Sequence, residues 1–183
     1  MPRTNDRMSD ISFKLMTETF AVTDLVHPHV QQRAATFGVR EGMTVVDYGS
    51  GPGRYTVQFG KLVGPTGKVY AVDVQELAVR AVQEKALRLG LPNVVPTQAH
   101  SYDSGLPDGI AHMTCALDMF FSVGEPTRFL GELKRITKPD GVLIIDDGHQ
   151  PRRVTKEKIA ASGHWHTVEE TADHLTCRPS PLE

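Results

Sequence analysis

Apolar and β-branched runs alternate along the chain with stretches whose apolar residues recur every three to four positions. The run 44–47 is followed by a helical stretch at 55–63, and the run 68–73 by a second one at 75–89. Recurrence with this period is typical of an amphipathic helix. Strand, helix, strand, helix in this order predicts a parallel sheet with right-handed crossover connections.

The second half of the chain extends this sheet and then departs from the pattern. Strands are predicted at 93–97 and 112–117, and a helix leads from there to the strand 142–145, which is apolar throughout. Such a run is typical of a strand that is covered on both faces. The last two strands, 165–170 and 174–178, are separated by three residues, too few for a crossover helix. They are therefore expected to form an antiparallel hairpin.

These elements predict an α/β fold with five parallel strands and a C-terminal antiparallel hairpin. The length of 183 residues fits a single domain. Within it, residues 38–183 are expected to form the ligand-binding body. Residues 1–37 are expected to pack on this body as a helical lid, with two short helices between residues 13 and 37, the second beginning near Pro28.

Composition and charge exclude several classes of protein. Lys and Arg number 20 against 22 Asp and Glu, a formal charge of −2, whereas a dedicated nucleic-acid binder carries a basic excess. The two cysteines are too few for a disulfide framework and lack the spacing of a zinc site. No apolar run approaches the roughly 18 residues that cross a bilayer, and the polar N-terminus does not resemble a signal peptide. We expect a cytoplasmic protein with neither nucleic-acid nor membrane partners.

An acid and three alternate glycines follow the first predicted strand: Asp47, Gly49, Gly51 and Gly53. Glycines at every second position let the backbone turn sharply and approach a ligand closely. The amide groups that open the next helix offer a site for polar or negative groups. The spacing is GxGxG rather than the dinucleotide-binding GxGxxG, because Arg54 stands where the last glycine of the longer motif would fall.

Two acids narrow the choice of ligand. Asp47, beside the glycines, is unfavourable for a pyrophosphate but suits a ligand with positive charge. Asp73 ends the second strand, 20 residues after Gly53, where an acid accepts hydrogen bonds from ribose hydroxyls. The ligand indicated has a ribose, a cationic part and no phosphate, and S-adenosylmethionine has these three features.

At these residues the chain resembles the class I S-adenosylmethionine-dependent methyltransferases. The stretch 47–53 matches the first motif of that family, and 72–73 matches its ribose-binding acid. The stretch 106–109 is similar to the family's loop before the fourth strand, and 133–141 to the helix and turn before the fifth. The resemblance covers about 39–178 and implies a three-layer Rossmann-like sandwich. It also implies S-adenosylmethionine as methyl donor and S-adenosylhomocysteine as product.

The resemblance implies a set of cofactor contacts. Gly49, Gly51 and Gly53 would pass along the methionine part, and Asp73 would hold the ribose. Where the family commonly has an acid for the adenine amine, this chain offers His100 or the neighbouring backbone. The residues expected at the cofactor are Asp47, Tyr48, Gly49, Ser50, Gly51, Gly53, Tyr55, Thr56, Asp73, Val74, Gln75, Ala99, His100, Ser101, Leu117 and Asp118.

Methyl transfer from a sulfonium depends chiefly on in-line placement, and many family members use no dedicated catalytic residue. A hydroxyl or ammonium acceptor needs a base, for which the candidates are Asp118, Asp146 and His149. Asp118 with Asp146 and Asp147 also resembles the magnesium ligands of catechol-type O-methyltransferases. In a further alternative, Asp146 or Asp147 caps the next helix. We expect no metal.

The expected function is S-adenosylmethionine-dependent methyl transfer to an unidentified small molecule. The stretch before the first strand is too short for a separate substrate domain, although a protein acceptor is left open. One alternative is a catalytically inert module that binds the cofactor and serves as a partner subunit. Another is an NAD-dependent oxidoreductase, which the GxGxG spacing and Asp47 oppose. The oligomeric state is left open between monomer and homodimer.

Overall fold

The computed structural model describes residues 9–15, 17 and 29–181, in which a sheet of seven strands lies between two layers of helices. The strands are β1 (Thr44–Tyr48), β2 (Lys68–Asp73), β3 (Val94–Gln98), β4 (Ala111–Ala116), β5 (Thr137–Ile145), β6 (Trp165–Glu170) and β7 (Leu175–Pro179). The α-helices are α1 (His29–Thr36), α2 (Arg54–Leu62), α3 (Glu76–Leu89), α4 (Pro126–Ile136) and α5 (Arg152–Ser162).

The strand order across the sheet is β3-β2-β1-β4-β5-β7-β6. The strands β1 to β5 are parallel to one another, whereas β7 runs antiparallel to both β5 and β6. The prediction of an α/β sandwich with a terminal antiparallel hairpin is therefore confirmed. The chain order reverses between β1 and β4, and ligands of open parallel sheets bind at such a switch point, beyond the carboxyl ends of the strands.

Each face of the sheet has its own apolar core. Successive residues of a strand point to opposite faces, so Val45 packs against α1, α2 and α3 while Val46 packs on the side of α4 and α5. Both valines are fully buried. Trp165 adds to the second core and donates its indole N–H to the backbone oxygen of Leu130, 2.9 Å away. The sheet is thus covered on both sides, as the apolar run of β5 predicts.

Two local differences separate the structure from the predicted elements. The predicted turn at 139–141 lies within β5, because the β4–β5 pairing shifts register there and takes the extra residues into an irregular strand. The strand thus begins at Thr137, directly after α4. The predicted cap of the helix after β5 is wrong: α5 begins after Pro151 with no side-chain cap.

The N-terminal part of the described chain lies against the body. Of the two predicted helices, the second is described over His29–Thr36 as α1, and its predicted start near Pro28 lies outside the described residues. Residues 10–15 are helical, and the remainder of the predicted first helix lies largely outside the described residues. Phe13 is 6% exposed, and the side-chain amide of Gln75 donates to the Asp10 carboxylate at 2.6 Å. Among the described helices, none combines the length and the apolar character that crossing a membrane requires.

Candidate cofactor and acceptor site

The glycine loop is tied to the end of β2. The backbone N–H groups of Gly49 and Ser50 both donate to the carbonyl of Val72, at 2.8 and 3.1 Å. Gly49, Gly51 and Gly53 all have positive φ, so the loop takes a path that side-chain-bearing residues rarely adopt. The loop therefore turns directly from β1 into α2 and leaves its backbone facing the switch point.

Asp73 stands at the carboxyl end of β2 and joins the loop to the following helix. One carboxylate oxygen accepts the N–H of Gly51 at 2.9 Å, and the other accepts the N–H of Gln75 at 2.8 Å. Burial raises the pKa of Asp73, and these backbone donors act against that rise. Val74 is a third backbone donor to this carboxylate, and of its roughly four lone-pair sites one remains to accept a hydroxyl from a ligand.

Asp47 is a buried acid at the end of β1. Its carboxylate accepts the hydroxyl of Thr56 at 2.5 Å and is 2% exposed. Burial raises the pKa of Asp47 to about 7, against the lowering effect of the Thr56 hydrogen bond, and the nearby charge of Asp73 raises it further. A cation placed beside this carboxylate would favour its charged form.

A cavity of about 380 Å³ opens at these carboxyl ends. Its volume is within the roughly 300–1,000 Å³ of small-molecule sites. The predicted cofactor residues that line it are Asp47, Tyr48, Gly49, Ser50, Gly51, Tyr55, Asp73, Val74, Gln75, Ser101, Leu117 and Asp118. The other predicted site residues are not part of its described lining: Gly53, Thr56, Ala99, His100, Asp146 and His149.

The three residues predicted near the adenine, Ala99, His100 and Ser101, lie in different environments. Ala99 is buried and donates its N–H to the carbonyl of Asp73 at 2.9 Å. His100 is exposed and pairs through its backbone with Asp103. Ser101 has a φ of 60° and lines the cavity. Of the three residues, Ser101 is therefore the one in place to contact a ligand.

Two hydroxyls of the cavity wall have no partner within the described residues. The side-chain oxygens of Ser50 and Ser101 are buried without a hydrogen bond. A buried polar group without a hydrogen bond raises the free energy of the folded protein, so such groups commonly bind a ligand or water. Next to Ser50, an added Cβ on Gly51 would meet none of the described atoms within 4 Å, which shows open space at the loop. These features fit a polar ligand such as S-adenosylmethionine.

Apolar side chains outside the set of predicted cofactor residues form much of the remaining wall. They come from the N-terminal segment, the loop after β4 and the start of α4: Phe13, Met119, Phe121, Val123 and Phe129. No local motif marks them, because they meet only when the loop after β4 folds over the glycine loop. Gly49 faces Met119 in this arrangement, and an added Cβ there would lie 2.7 Å from the Met119 Cγ.

Acids and a buried arginine form a group at the ends of β4 and β5. The Asp146 carboxylate is 3% exposed, accepts the N–H of Asp118 at 2.8 Å and accepts a guanidinium N–H of Arg33 at 3.0 Å. Burial raises the pKa of Asp146 to about 6, the charge of Asp118 raises it further, and Arg33 opposes both. Asp118 lines the cavity and its side chain is 47% exposed. Of these two acids, Asp118 is the one that can touch a ligand.

The remaining candidates have other partners. His149 is exposed, packs edge-on against Phe121 with ring centroids 4.8 Å apart, and is not part of the described cavity lining. The Asp147 carboxylate accepts the N–H of Arg152 at 2.6 Å. Within residues 9–15, 17 and 29–181, no three His, Cys, Asp or Glu side chains gather in a way that could hold a metal ion.

The fold and the site are those expected of the class I S-adenosylmethionine-dependent methyltransferase family, and the comparisons with known proteins agree. A family model described as "Methyltransferase domain" matches residues 39–176. The chain belongs to this family.

Individual relatives show how far the similarity extends. The chain is 32% identical over 115 residues to the ubiquinone/menaquinone biosynthesis C-methyltransferase UbiE of Escherichia fergusonii, covering 62% of this chain and 46% of that protein. It thus spans about half the length of the curated relatives it matches. The crystal structure of a SAM-dependent methyltransferase from Aquifex aeolicus has 32% identity and a TM-score of 0.71, covering 81% of this chain and 87% of that one.

A further structural neighbour separates fold from chemistry. The [4+2]-cyclase SpnF has 18% identity and a TM-score of 0.64, covering 80% of this chain and 58% of that one. A likeness at this identity concerns the fold alone, and one fold hosts unrelated reactions. The activity of this chain must therefore be argued from its site.

We expect Gly49→Ala to lower the free energy of unfolding by roughly 1–3 kcal/mol more than Gly90→Ala does. Both glycines have positive φ, 77° and 64°, so both substitutions strain the backbone. Only at Gly49 does the new Cβ meet a described side chain, Met119, whose Cβ and Cγ lie 3.3 and 2.7 Å away. Urea unfolding of the two variants measures the difference. Equal losses would mean that Met119 moves aside freely.

Proposed function

We propose that this chain transfers the methyl group of S-adenosylmethionine to a small molecule whose body is largely apolar. One observation carries the proposal: a single cavity joins the glycine loop and Asp73 to an apolar wall and the carboxylate of Asp118. The cofactor supplies an electrophilic methyl group on a sulfonium. The tasks left to the protein are to orient the acceptor and to take up its proton.

The cofactor half of the cavity is proposed to lie between the glycine loop and Asp73. Asp73 would accept a ribose hydroxyl on the lone pair that its backbone donors Gly51, Val74 and Gln75 leave unused. The unpaired hydroxyls of Ser50 and Ser101 offer further polar contacts along the same wall. Asp47 is a buried acid, and a nearby cation would favour its charged form. It therefore suits a ligand that carries ammonium and sulfonium groups.

The acceptor half is proposed to lie against the apolar side chains. Phe13, Met119 and Phe121 offer aromatic and thioether surface, which favours a flat apolar body over a sugar or a charged peptide. The name of the UbiE relatives, which methylate carbon in ubiquinone and menaquinone biosynthesis, supports a ring acceptor of this kind. Phe13 belongs to the N-terminal segment, which we propose covers the acceptor as a lid.

Asp118 is proposed as the base. It alone among Asp118, Asp146 and His149 belongs to the described cavity wall, and its half-exposed carboxylate can accept a proton. Removal of a proton from a ring hydroxyl leaves negative charge on the oxygen and on the ring carbons beside it. Either atom then attacks the methyl carbon as the bond of that carbon to sulfur breaks, so the sulfur leaves as the thioether of S-adenosylhomocysteine and the proton resides on the Asp118 carboxylate. After attack by a ring carbon, the hydrogen of that carbon moves as a proton to the ring oxygen, which restores the aromatic ring.

Release of S-adenosylhomocysteine in the presence of an acceptor panel tests the proposal. The panel contains a hydroquinone, a simple phenol, a primary amine and a carboxylic acid, each with S-adenosylmethionine. We expect release with a hydroxylated ring, and heats of binding for S-adenosylmethionine but not for NAD. Cofactor binding without turnover on any acceptor would favour the inert module. Absence of binding at millimolar cofactor would refute the proposal.

We expect the affinity for S-adenosylmethionine to rise about tenfold between pH 6 and pH 7.5. The pKa of Asp47 is raised to about 7 by burial, so the free protein is mostly protonated there at pH 6, whereas the bound cation requires the carboxylate. Calorimetry across this range measures the slope. Asp47→Asn should remove this part of the slope, and equal slopes in both proteins would contradict the assignment.

We expect methyl transfer to continue undiminished in excess EDTA. The Arg33 guanidinium already neutralises the Asp146 carboxylate, and Asp146 is not part of the described cavity lining, so these acids are a poor set of magnesium ligands. The rate before and after chelation, with added Mg²⁺ as control, measures this. A rate that falls with EDTA and returns with Mg²⁺ would restore the metal mechanism.

A further inference from the structure

Arg33 lies on the inner face of α1, where its guanidinium is surrounded by polar groups from four other parts of the chain. Its side chain is 10% exposed. One guanidinium nitrogen donates to the hydroxyl of Tyr55 on α2. The other donates to the Asp146 carboxylate at 3.0 Å and to the backbone oxygen of Asp173, in the β6–β7 turn, at 3.1 Å. Asp118 follows at 3.8 Å.

Asp118 is held in a backbone conformation that depends on Asp146. Its φ is 58°, and among the described residues only Ser101 shares a positive φ without being glycine. Such conformations persist where the surroundings determine them. Here the N–H of Asp118 donates to one oxygen of the Asp146 carboxylate, while Arg33 binds the other oxygen.

The negative charges of Asp118 and Asp146 make Arg33 necessary for the hydrogen bond between the Asp118 N–H and the Asp146 carboxylate. Without Arg33, two carboxylates of the same sign would lie together at the ends of β4 and β5, one of them buried. The buried acid would then favour its protonated form or turn away. In either case it would become a poorer acceptor for the N–H of Asp118.

We propose that Arg33 is a positioning residue for the methyl transfer proposed above, on which this inference rests. By holding the carboxylate of Asp146, it fixes the backbone of Asp118 and directs the Asp118 carboxylate into the cavity. Arg33 itself is not part of the described cavity lining. It acts through the two acids rather than on the acceptor.

The test compares Arg33→Met, Arg33→Lys, Asp146→Asn and the double variant of Arg33→Met with Asp146→Asn. Arg152→Met is the matched control, because Arg152 also clamps the β6–β7 turn, through the carbonyls of Thr171 and Ala172, and pairs with Asp147. Arg152 has no described contact with Asp118 or Asp146. A loss caused only by loosening of the turn would therefore be the same in both methionine variants.

In turnover, we expect Arg33→Met to lower kcat roughly 10- to 100-fold while the Kd for S-adenosylhomocysteine stays within about threefold. Arg33→Lys should recover part of kcat, since it keeps the charge. The double variant should lose no more than the larger single loss, because both changes break one chain of contacts. Any of three results would overturn the proposal: a loss in the double variant equal to the product of the two single losses, an unchanged kcat in Arg33→Met, or an equal loss of kcat in Arg152→Met.

Amide hydrogen exchange of the protein with S-adenosylhomocysteine gives a readout that needs no acceptor. We expect the N–H of Asp118 to exchange at least tenfold faster in Arg33→Met than in the wild type, with no such change in Arg152→Met. Equal exchange in the wild type and Arg33→Met would overturn the inference. If the wild type methylates no acceptor, the proposed function fails, and the exchange measurement still decides whether Arg33 holds Asp118.

Discussion

Asp73→Ala is expected to weaken the binding of S-adenosylhomocysteine roughly 10- to 150-fold. Charged hydrogen bonds contribute about 1.5–3 kcal/mol, and 1.4 kcal/mol corresponds to a factor of ten. The variant removes the proposed acceptor of the ribose hydroxyls. It also removes the acceptor of the N–H groups of Gly51 and Gln75, so the glycine loop and the start of α3 each lose a hydrogen bond. Titration calorimetry with S-adenosylhomocysteine measures the change in Kd.

Asp103→Ala is the control for this variant. Asp103 makes the same local bond as Asp73, accepting the N–H two residues further on, from Gly105 at 2.8 Å, but it is not part of the described cavity lining. Its removal should leave the Kd within about twofold of the wild type. A Kd for Asp73→Ala that is also within about threefold would remove Asp73 from the cofactor site. Thermal unfolding of both variants separates lost affinity from lost folding.

The parts of the site that could be predicted from the sequence are those encoded by neighbouring residues. The acid and glycines of 47–53 form one continuous loop, and their residue types already require sharp turns and close approach to a ligand. Asp73 could be placed because a parallel strand ends there, and parallel strands end at the same edge of the sheet. Local chemistry and strand direction were sufficient for both.

Residues brought together over long distances could not be predicted in the same way. Arg33 meets Asp146 across 113 positions, and no spacing rule connects them. One signal was present: Arg33 occupies a position of the apolar stripe that Val30, Ala34 and Phe37 define, at i, i+4 and i+7. A cation in such a stripe requires a buried partner, although the sequence does not say which.

The predicted adenine contact, His100, falls where this chain departs from the family motif. His100 was assigned to the adenine by its position alone, yet its backbone pairs with Asp103 and its side chain is exposed. The neighbouring Ser101, with its left-handed backbone, is the residue that lines the cavity. A shift of one residue in an irregular loop redirects the side chain, and periodicity does not define such loops.

Asp118→Asn is expected to lower kcat for a ring hydroxyl acceptor about 10²- to 10⁴-fold, the usual contribution of a positioned base. Asparagine keeps the size of the side chain and tolerates the left-handed backbone, with φ of 58°, better than most residues do. The variant should therefore fold, keep its hydrogen bond to Asp146 and bind S-adenosylhomocysteine normally. Single-turnover rates at saturating cofactor measure the loss without interference from product release.

The acidity of the acceptor decides whether this loss belongs to proton removal. With a more acidic phenol, or at a pH above the pKa of the hydroxyl, the acceptor is already ionised, so the gap between Asp118→Asn and the wild type should narrow. A gap that stays constant would show that the carboxylate only orients the acceptor.

Asp147→Asn is the companion variant: its partner is Arg152, so little loss is expected unless a metal binds there. If Asp118 is the base, the loss of kcat therefore depends on the acidity of the acceptor. It occurs in Asp118→Asn, at the end of β4, and not in Asp147→Asn, at the end of β5.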